Sequence, residues 1–239
     1  MKKLLKLTCN LIPSTIKNRI GQVRKQLRNF NILARNYGQF RSIREWSCLD
    51  SSGRPIPWYT YPAIEYLNHL DFSQMNLFEF GSGNSTLWWA GKTKSVTSIE
   101  DDENWYSKVY SSASFLPDKI KYLHENNKEM YVNAIAEYLF DIVVIDGKHR
   151  TECANHMLSY YKNREGVMLI FDNSDWYPET INILREGLGL VQVDFHGFGP
   201  INDYTWTTTI FINQANQSRL KYLSPLKSIA GTGINAEIQ

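Results

Sequence analysis

A short turn rich in glycine follows the apolar segment from Asn76 to Phe80. Gly81 and Gly83 have no side chain, so backbone amides of this turn can approach a ligand that a Cβ atom would block. Glu100 ends the next apolar segment, seventeen residues after Gly83, where a carboxylate can accept hydrogen bonds from both hydroxyls of a ribose. A glycine turn and an acid at this separation indicate a site for an adenosine-containing cofactor.

The residues around this turn favour a sulfonium cofactor over a nicotinamide one. A dinucleotide site favours a third glycine about three residues after Gly83, and Thr86 stands there. Glu79 precedes the glycines, where it would repel a pyrophosphate but attract the ammonium of an amino acid group. We therefore expect S-adenosylmethionine. The predicted cofactor-binding residues are Glu79, Gly81, Ser82, Gly83, Asn84, Glu100, Asp101 and Asp146. The acids after Glu100 also fit an alternative role as the cap of the next helix.

Three side chains with oxygen atoms end two later apolar segments: Asp146, Asp172 and Asn173. Two carboxylates and a carboxamide suit an octahedral Mg²⁺ that keeps water or substrate oxygens in its other positions. Such a metal would act as a Lewis acid and a template. The alternative is structural: Asp146 would order its loop through backbone N–H groups, and the other two residues would form the turn after a strand.

His149 follows Asp146 by three residues, and these two are the predicted catalytic residues. An unperturbed histidine has a pKa of about 6.5, which suits a general base at neutral pH. His149 also fits a solvated loop residue, and its neighbours Lys148 and Arg150 could hold an anionic group of a substrate. Aromatic side chains near the site could stack on a sugar or aromatic acceptor. The candidates are Trp58, Tyr59, Tyr61, Trp176 and Tyr177.

The elements that must position these residues alternate between apolar runs of strand length and segments of helical period. The predicted strands are 76–80, 95–100, 119–124, 140–146, 166–172, 190–196 and 205–212, and the predicted helices between and after them are 84–92, 102–114, 129–138, 151–163 and 178–187. This alternation predicts an α/β fold with a doubly wound, mostly parallel seven-stranded sheet. No helix separates the last two strands, so we expect them to form an antiparallel pair at one edge.

Over about residues 60 to 213 the sequence resembles the class I S-adenosylmethionine-dependent methyltransferases. The resemblance rests on Glu79-Phe-Gly-Ser-Gly with Glu100, on Asp146-Gly147 and on Asp172-Asn173. It implies the Rossmann-like methyltransferase fold, with the glycine turn cradling the cofactor and the acid after the second strand holding its ribose. A further set of motifs resembles a little-characterised bacterial branch of this superfamily: Trp58-Tyr-Thr-Tyr-Pro, Phe78-Glu-Phe-Gly-Ser-Gly-Asn-Ser-Thr, Asp146-Gly-Lys-His-Arg and Phe198-Gly-Pro.

The resemblance also implies roles for residues that carry no motif of their own. Glu125 and Asn126, just after the third strand, would lie near the adenine ring. Asn202, Asp203 and Tyr204 would lie in the acceptor pocket. The Asp, then Asp-Asn arrangement is similar to that of metal-dependent O-methyltransferases, in which a cation binds a vicinal diol and lowers the pKa of the attacking hydroxyl.

Together these features predict an S-adenosylmethionine-dependent methyltransferase that modifies a hydroxyl of a sugar, a glycan or another small hydroxylated acceptor, with Mg²⁺ as a candidate second cofactor. Transfer would be an in-line displacement, to which the protein contributes alignment and removal of a proton. Two alternatives stay open. An NAD-dependent oxidoreductase would share the glycines and Glu100, and a non-catalytic module would bind a nucleotide or a membrane.

The first 44 residues hold eleven Lys and Arg residues and no acid, whereas the remainder holds fifteen basic and twenty-four acidic residues. Within these first 44 residues, which we call the head, apolar residues recur at helical spacing: Ile12, Ile16, Ile20, Val23, Leu27 and Phe30. The pattern predicts a basic amphipathic helix. Residues 12–35 would either contact anionic lipid or pack on the body or on a second copy, which would make a homodimer. Specific nucleic acid binding is not expected, because the acidic body repels phosphates.

Composition excludes several classes of protein. A chain of 239 residues that is 43% apolar and 13% aromatic can bury one sizeable core and is not disordered over most of its length. No stretch approaches the roughly 20 apolar residues that cross a bilayer. Three widely spaced cysteines fit neither a disulfide framework nor a zinc site, so we expect a cytoplasmic protein, working at the inner membrane face if the head binds lipid. The expected units are a basic helical extension over 1–53, a cofactor-binding methyltransferase domain over 54–213 and a polar tail over 214–239.

Overall fold

The structure is a computed structural model that describes residues 13–113, 118–137, 139–161, 167–212, 220–223 and 228–232. Several expectations fall outside the described residues. These are the start of the first helix at Ile12, the segment ends at 114, 138, 162–163 and 166, and most of the predicted tail.

Seven strands form the central sheet. They are β2 (Asn76–Phe80), β3 (Ser95–Glu100), β4 (Ile120–His124), β5 (Ile142–Ile145), β6 (Met168–Asp172), β7 (Val191–Gly197) and β8 (Trp206–Ile212), and β1 (Leu70–Asp71) precedes them outside this sheet. Their spatial order is β4-β3-β2-β5-β6-β8-β7. The first five strands pair in parallel, and β8 runs antiparallel to both β6 and β7. The predicted doubly wound sheet and its antiparallel last pair are confirmed.

The described residues include eight α-helices, and those that alternate with the strands cover both faces of this sheet. The eight are α1 (Ser14–Asn31), α2 (Gln39–Glu45), α3 (Tyr61–Asn68), α4 (Asn84–Ala90), α5 (Glu103–Ala113), α6 (Lys128–Asn133), α7 (Arg150–Tyr161) and α8 (Pro178–Leu188). Local signals set their ends: Asn127 caps α6 by accepting a hydrogen bond from the backbone N–H of Met130, and α8 begins with a proline and ends at Gly189 in the left-handed region, as is common at helix termini.

The inner strands are apolar along their whole length because helices pack on both of their faces. Every residue of β5 and β6 is buried, whereas β4 at the sheet edge is only partly buried. Trp89 and Leu67 belong to the core on one face, and Phe80 and Phe171 belong to the core on the other. Strand order reverses between β2 and β5, and open sheets bind ligands beyond the carboxyl ends of the strands at such a point.

The N-terminal region divides into two parts. Among the described residues of α1, none is buried, and no helix in the described ranges is both long and apolar enough to cross a bilayer. Residues 37–56, in contrast, pack on the body: the rings of Tyr37 and Tyr61 lie 4.7 Å apart, and Cys48 and Ile56 belong to the core. The compact part of the chain therefore begins before the expected boundary at residue 54.

A second, two-stranded sheet was not predicted. β1 pairs antiparallel with β9 (Lys221–Tyr222), so part of the predicted tail packs on the body. Strands of two residues are too short to show an alternating pattern in the sequence.

The backbones of Gly81 and Gly147 touch at the carboxyl ends of β2 and β5. A Cβ atom on Gly81 would lie 2.7 Å from the Cα and N atoms of Gly147, and Gly81 has a φ of +94°. On the other side, a Cβ atom on Gly147 would collide with the hydroxyl of buried Tyr131. At Gly81 both the backbone conformation and the close approach require glycine, and at Gly147 the close approach requires it.

We expect Gly81→Ala to lower the free energy of unfolding by about 3 kcal/mol, because the added Cβ combines left-handed strain with a backbone collision. Gly21→Ala is the matched control, since a Cβ there would have no atom within 4 Å. Urea unfolding of both variants measures the difference. Equal unfolding midpoints for the two variants would contradict the close contact.

Candidate active site

A cavity of about 650 Å³ opens at the carboxyl ends of the parallel strands, which is a typical size for a small-molecule site. Its wall has two parts. The first part consists of the glycine turn, the acids after β3 and one face of α5: Gly81, Ser82, Gly83, Asn84, Ser85, Leu87, Glu100, Asp101, Trp105, Lys108, Val109 and Ser112. The second part is rich in aromatic and amide side chains. Residues 146–150, which follow β5, lie between the two parts of the wall.

Glu79 lies beneath the glycine turn rather than in the cavity wall, which corrects the expectation that it faces the ammonium group of a ligand. Its side chain is fully buried. Oε2 accepts a hydrogen bond from the hydroxyl of Thr86 at 2.6 Å and lies 3.0 Å from the hydroxyl of Ser98. Oε1 is buried without a hydrogen-bond partner within the described part of the chain. Burial raises the pKa of Glu79 to about 7.

Thr86 also explains why this turn differs from a dinucleotide site. Its hydroxyl oxygen accepts a hydrogen bond from the backbone N–H of Gly83 at 3.1 Å and donates to Glu79. The N–H of Gly83 is therefore already used inside the protein, and an acid lies behind it. Both features make the start of α4 a poor site for a pyrophosphate.

Glu100 lies in the cavity wall with its carboxylate held in place. Oε1 accepts the backbone N–H groups of Asp101 and Asp102 at 3.0 and 3.1 Å, and Oε2 accepts the Ser82 hydroxyl at 2.7 Å. Burial raises the pKa of this carboxyl. Asp102 caps α5 by accepting the N–H of Trp105 at 2.7 Å, as the alternative reading of these acids allowed. Three hydrogen bonds therefore hold the carboxylate of Glu100 in one orientation in this wall.

Two other predicted cofactor residues line the cavity and also make structural contacts. Asn84 donates from its side-chain amide to the hydroxyl of Ser47 and the carbonyl of Cys48. Asp101 forms an ion pair of 2.6 Å with Lys148, which joins the loop after β3 to the loop after β5. Lys148 therefore has an internal partner instead of a free ammonium for an anionic substrate.

Arg150 joins the ends of β5 and β6. Its Nε donates to the carbonyl of Gly147, its Nη2 to the carbonyl and Oδ1 of Asp146, and its Nη1 to the carbonyl of Asp172 and Oδ1 of Asn173. A guanidinium has five N–H donors, and each of them has an acceptor here. Arg150 therefore acts as an internal clamp, not as the predicted grip on a substrate anion.

The same contacts show that Asp146, Asp172 and Asn173 do not fit the predicted Mg²⁺ site. The Asp172 carboxylate accepts hydrogen bonds from the indole of Trp206 and the hydroxyl of Thr208, and the guanidinium donates to Oδ1 of Asp146 and Oδ1 of Asn173. A cation would have to displace these donors. Within the described ranges, no group of three His, Cys, Asp or Glu side chains could hold a metal ion.

Asp146 is the carboxylate of this cluster that lines the cavity with part of its side chain exposed. Burial raises its pKa to about 6, although the neighbouring guanidinium of Arg150 opposes the rise. Burial and the charge of Asp146 hold the pKa of Asp172 well above its ordinary value. The guanidinium of Arg150 contacts the carboxylate of Asp146 but only the backbone carbonyl of Asp172, so Asp146 carries the charge more readily than Asp172.

His149 is not among the residues that line the cavity in the described part of the chain. It has a φ of +54°, and its ring lies against Tyr131, with ring centroids 6.1 Å apart. The imidazole therefore packs against Tyr131 outside the described cavity wall. The prediction of His149 as a general base is therefore not supported by its position, and Asp146 is the remaining predicted catalytic residue at the site.

The second part of the cavity wall carries four of the predicted acceptor residues: Trp58, Trp176, Asn202 and Tyr204. Trp58 donates from its indole to Oδ1 of Asn202 at 2.6 Å, and Trp176 is 56% exposed. Other candidates lie elsewhere. Tyr59 and Tyr61 belong to the core, Tyr177 lies against Arg150, and Asp203, Glu125 and Asn126 are absent from the cavity wall within the described residues.

Two groups of wall residues were missed by the sequence analysis. Trp46, Ser47 and Cys48 line the cavity although they precede the expected domain boundary. Trp105 donates from its indole to the carbonyl of Ser82 at 2.8 Å and covers the glycine turn. The concentration of Trp and Pro between residues 46 and 58 was the one signal that could have indicated the first group.

No protein-family model matches the chain, and no curated protein sequence matches it. Several solved structures of methyltransferases are similar to it at low sequence identity. A precorrin-6Y C5,15-methyltransferase from Geobacter metallireducens has a TM-score of 0.50 at 8% identity, over 64% of this chain and 87% of the other. The O-methyltransferase TomG from Streptomyces achromogenes, in complex with S-adenosylmethionine, has a TM-score of 0.48 at 13% identity, over 63% and 76%. The N-methyltransferase NodS from Bradyrhizobium japonicum has a TM-score of 0.43 at 16% identity, over 59% and 79%.

The chain shares the α/β fold of the Geobacter methyltransferase, and its seven-stranded, mostly parallel sheet is the Rossmann-like fold that the sequence resemblance implied. The glycine turn, Glu100 and Asp146 lie at the carboxyl ends of three neighbouring strands of that fold. They occupy one cavity at the place where the strand order reverses.

The raised pKa of Glu79 makes stability depend on pH. A folded-state value of about 7 against an ordinary 4.5 means that the folded protein binds this proton more tightly than the unfolded chain. The stabilisation is complete below about pH 4.5 and is lost as the pH rises to 7. We expect Glu79→Gln to remove this dependence, so that the variant gains up to roughly 3 kcal/mol relative to the native chain across that interval.

Urea unfolding of the native chain and of Glu79→Gln at several pH values measures this difference. The control is Glu103→Gln, because Glu103 is an exposed acid at the start of α5. Parallel stability curves for Glu79→Gln and the native chain would contradict the burial of an ionisable group beneath the turn.

Proposed function

We propose that the protein is an S-adenosylmethionine-dependent methyltransferase that modifies a hydroxyl group of a sugar or a similar small polyol. One observation carries the proposal. The glycine turn and Glu100, the acid suited to bind a ribose, line the same cavity as a group of aromatic and amide side chains. Asp146 lies in this cavity at the strand end next to the turn. A cofactor and an acceptor bound to the two parts of the wall would meet beside that carboxylate.

The first part of the wall fits the adenosyl cofactor. The turn from Gly81 to Gly83 lines the cavity, so a ligand that enters beside the ring of Trp105 can reach its backbone. Glu100 offers a carboxylate that three protein donors hold in position and that can accept hydrogen bonds from ribose hydroxyls. When bound, S-adenosylmethionine supplies an activated methyl group.

The second part of the wall favours a hydroxylated acceptor. Trp176 and Trp46 are 56% and 68% exposed at the cavity, where their rings can pack against the apolar face of a sugar. Asn202 and Asn173 place side-chain amides in the same wall, and amides can hydrogen-bond to hydroxyl groups. Apolar rings combined with a few polar groups are typical of sites that orient such ligands.

Asp146 is the group proposed to accept the proton of the attacking hydroxyl. Its pKa of about 6 leaves it mainly ionised at neutral pH but basic enough to take a proton, which is the balance that general base catalysis needs. Arg150 holds Oδ1 at 3.1 Å and so fixes the direction of the carboxylate. Because the cluster does not fit Mg²⁺, the proposal includes no metal.

Titration calorimetry with S-adenosylhomocysteine tests the cofactor assignment. We expect binding by the native chain, no binding of NAD⁺ and no more than a twofold change on adding Mg²⁺. Glu100→Ala should weaken binding by roughly ten- to a hundredfold, because the ribose loses charge-assisted hydrogen bonds. Glu103→Gln is the control and should bind normally. Tight binding of NAD⁺, or unchanged binding by Glu100→Ala, would overturn the assignment.

Methyl transfer from radiolabelled S-adenosylmethionine to a bacterial glycan extract tests the catalytic assignment. We expect Asp146→Asn to lower the turnover rate by roughly a hundredfold or more, since it removes the proton acceptor. His149→Asn, which tolerates the same left-handed conformation, should keep the native rate. The reverse result, with activity lost only in the His149 variant, would reinstate the histidine as the base.

A further inference from the structure

We infer that helix α1 binds the surface of an anionic lipid membrane. The inference goes beyond the proposed function, because lipid binding requires no cofactor and no acceptor. It rests on the exposure of the helix, on the distribution of charge along the chain and on the position of the helix relative to the cavity.

An apolar stripe runs along α1 without any covering in the described part of the chain. Its members recur at steps of four and three residues and are all exposed, by 40% to 68%: Ile16, Ile20, Val23, Leu27 and Phe30. None of the described helix residues is buried, although the segment that follows packs firmly on the body. Large apolar side chains in such a row indicate a surface that another phase or molecule covers.

Charge identifies the partner. Lys17, Arg19 and Arg24 flank the stripe, and Lys25 and Arg28 lie beyond it, whereas α1 contains no acid. The spacing alone would also suit a coiled coil. Two copies packed along this stripe would, however, bring cations of one helix against cations of the other, with no carboxylate to pair with them. An anionic lipid surface can do both: its acyl region buries the apolar stripe, and its headgroups neutralise the flanking cations.

The body cannot supply this binding. Beyond residue 44 it holds fifteen basic and twenty-four acidic residues, so an anionic surface repels it. Binding must therefore come from the first 44 residues, and substitutions within α1 should weaken it.

The helix would also keep the cavity near the membrane. Seven residues separate α1 from α2, a span of at most roughly 25 Å. In α2, Gln39 donates from its side-chain amide to the backbone carbonyls of Gly199 and Asn202, and Asn202 belongs to the acceptor wall. A protein anchored through α1 would thus present this wall to acceptors carried at the same surface.

Sedimentation with vesicles tests the inference with the full-length protein. We expect binding to vesicles of equal parts phosphatidylglycerol and phosphatidylcholine, weakening with salt, and little binding to phosphatidylcholine alone. Arg24→Gln with Arg28→Gln should weaken binding by roughly thirtyfold. Lys94→Gln with Lys221→Gln makes the same change of charge on exposed body residues and should have no effect.

A second variant separates lipid from a second copy of the chain. Leu27→Ser with Phe30→Ser removes apolar side chains that are 61% and 68% exposed, so it should abolish vesicle binding and leave the fold and the sedimentation coefficient unchanged. The inference is overturned if the native chain binds anionic and neutral vesicles equally weakly. It is also overturned if the native chain is a dimer that this variant converts to monomer, because the stripe is then a homotypic coiled coil. Calorimetry with S-adenosylhomocysteine is independent of both outcomes.

Discussion

The rest of the site depends on a backbone contact between two glycines. These are Gly81, which follows β2, and Gly147, which follows β5. The strands that they end are neighbours at the point of reversed strand order, and a Cβ atom on either glycine would collide with the other backbone. Because the ends approach so closely, the glycine turn faces the cavity, Asp146 lies beside it and Tyr131 fills the space beneath. Any bulkier residue at either position would separate the two halves of the cavity wall.

Buried charge supports this contact from two sides. Glu79 lies under the turn, where the hydroxyls of Thr86 and Ser98 surround one carboxylate oxygen. Arg150 links the ends of β5 and β6 through all of its donors and holds the carboxylate of Asp146. Burying these groups is costly, but each has a partner that a relaxed or shifted loop would not provide. The polar network therefore favours one arrangement of the loops around the cavity.

The sequence was sufficient for the strands and for the positions of the glycine turn and of Glu100 at their ends, because buried parallel strands and glycine turns are local patterns with a direct physical cause. The sequence was not sufficient where the function of a residue depends on the direction in which its side chain points. His149 resembled a base by its type and position, yet its ring packs against Tyr131 and it is not among the described residues of the cavity wall. Arg150 resembled an anion-binding residue, and only the three-dimensional contacts show that its donors are used. Trp46 reaches the cavity across a sequence separation that no local pattern reveals.

A crystal structure of the complex with S-adenosylhomocysteine is the most direct test of the account. We predict that the ribose hydroxyls donate hydrogen bonds to the carboxylate of Glu100, and that the amino acid chain of the ligand lies over the backbone of Gly81 to Gly83. A complex in which the sugar lies remote from Glu100, or in which the ligand avoids the glycine turn, would contradict the central claim.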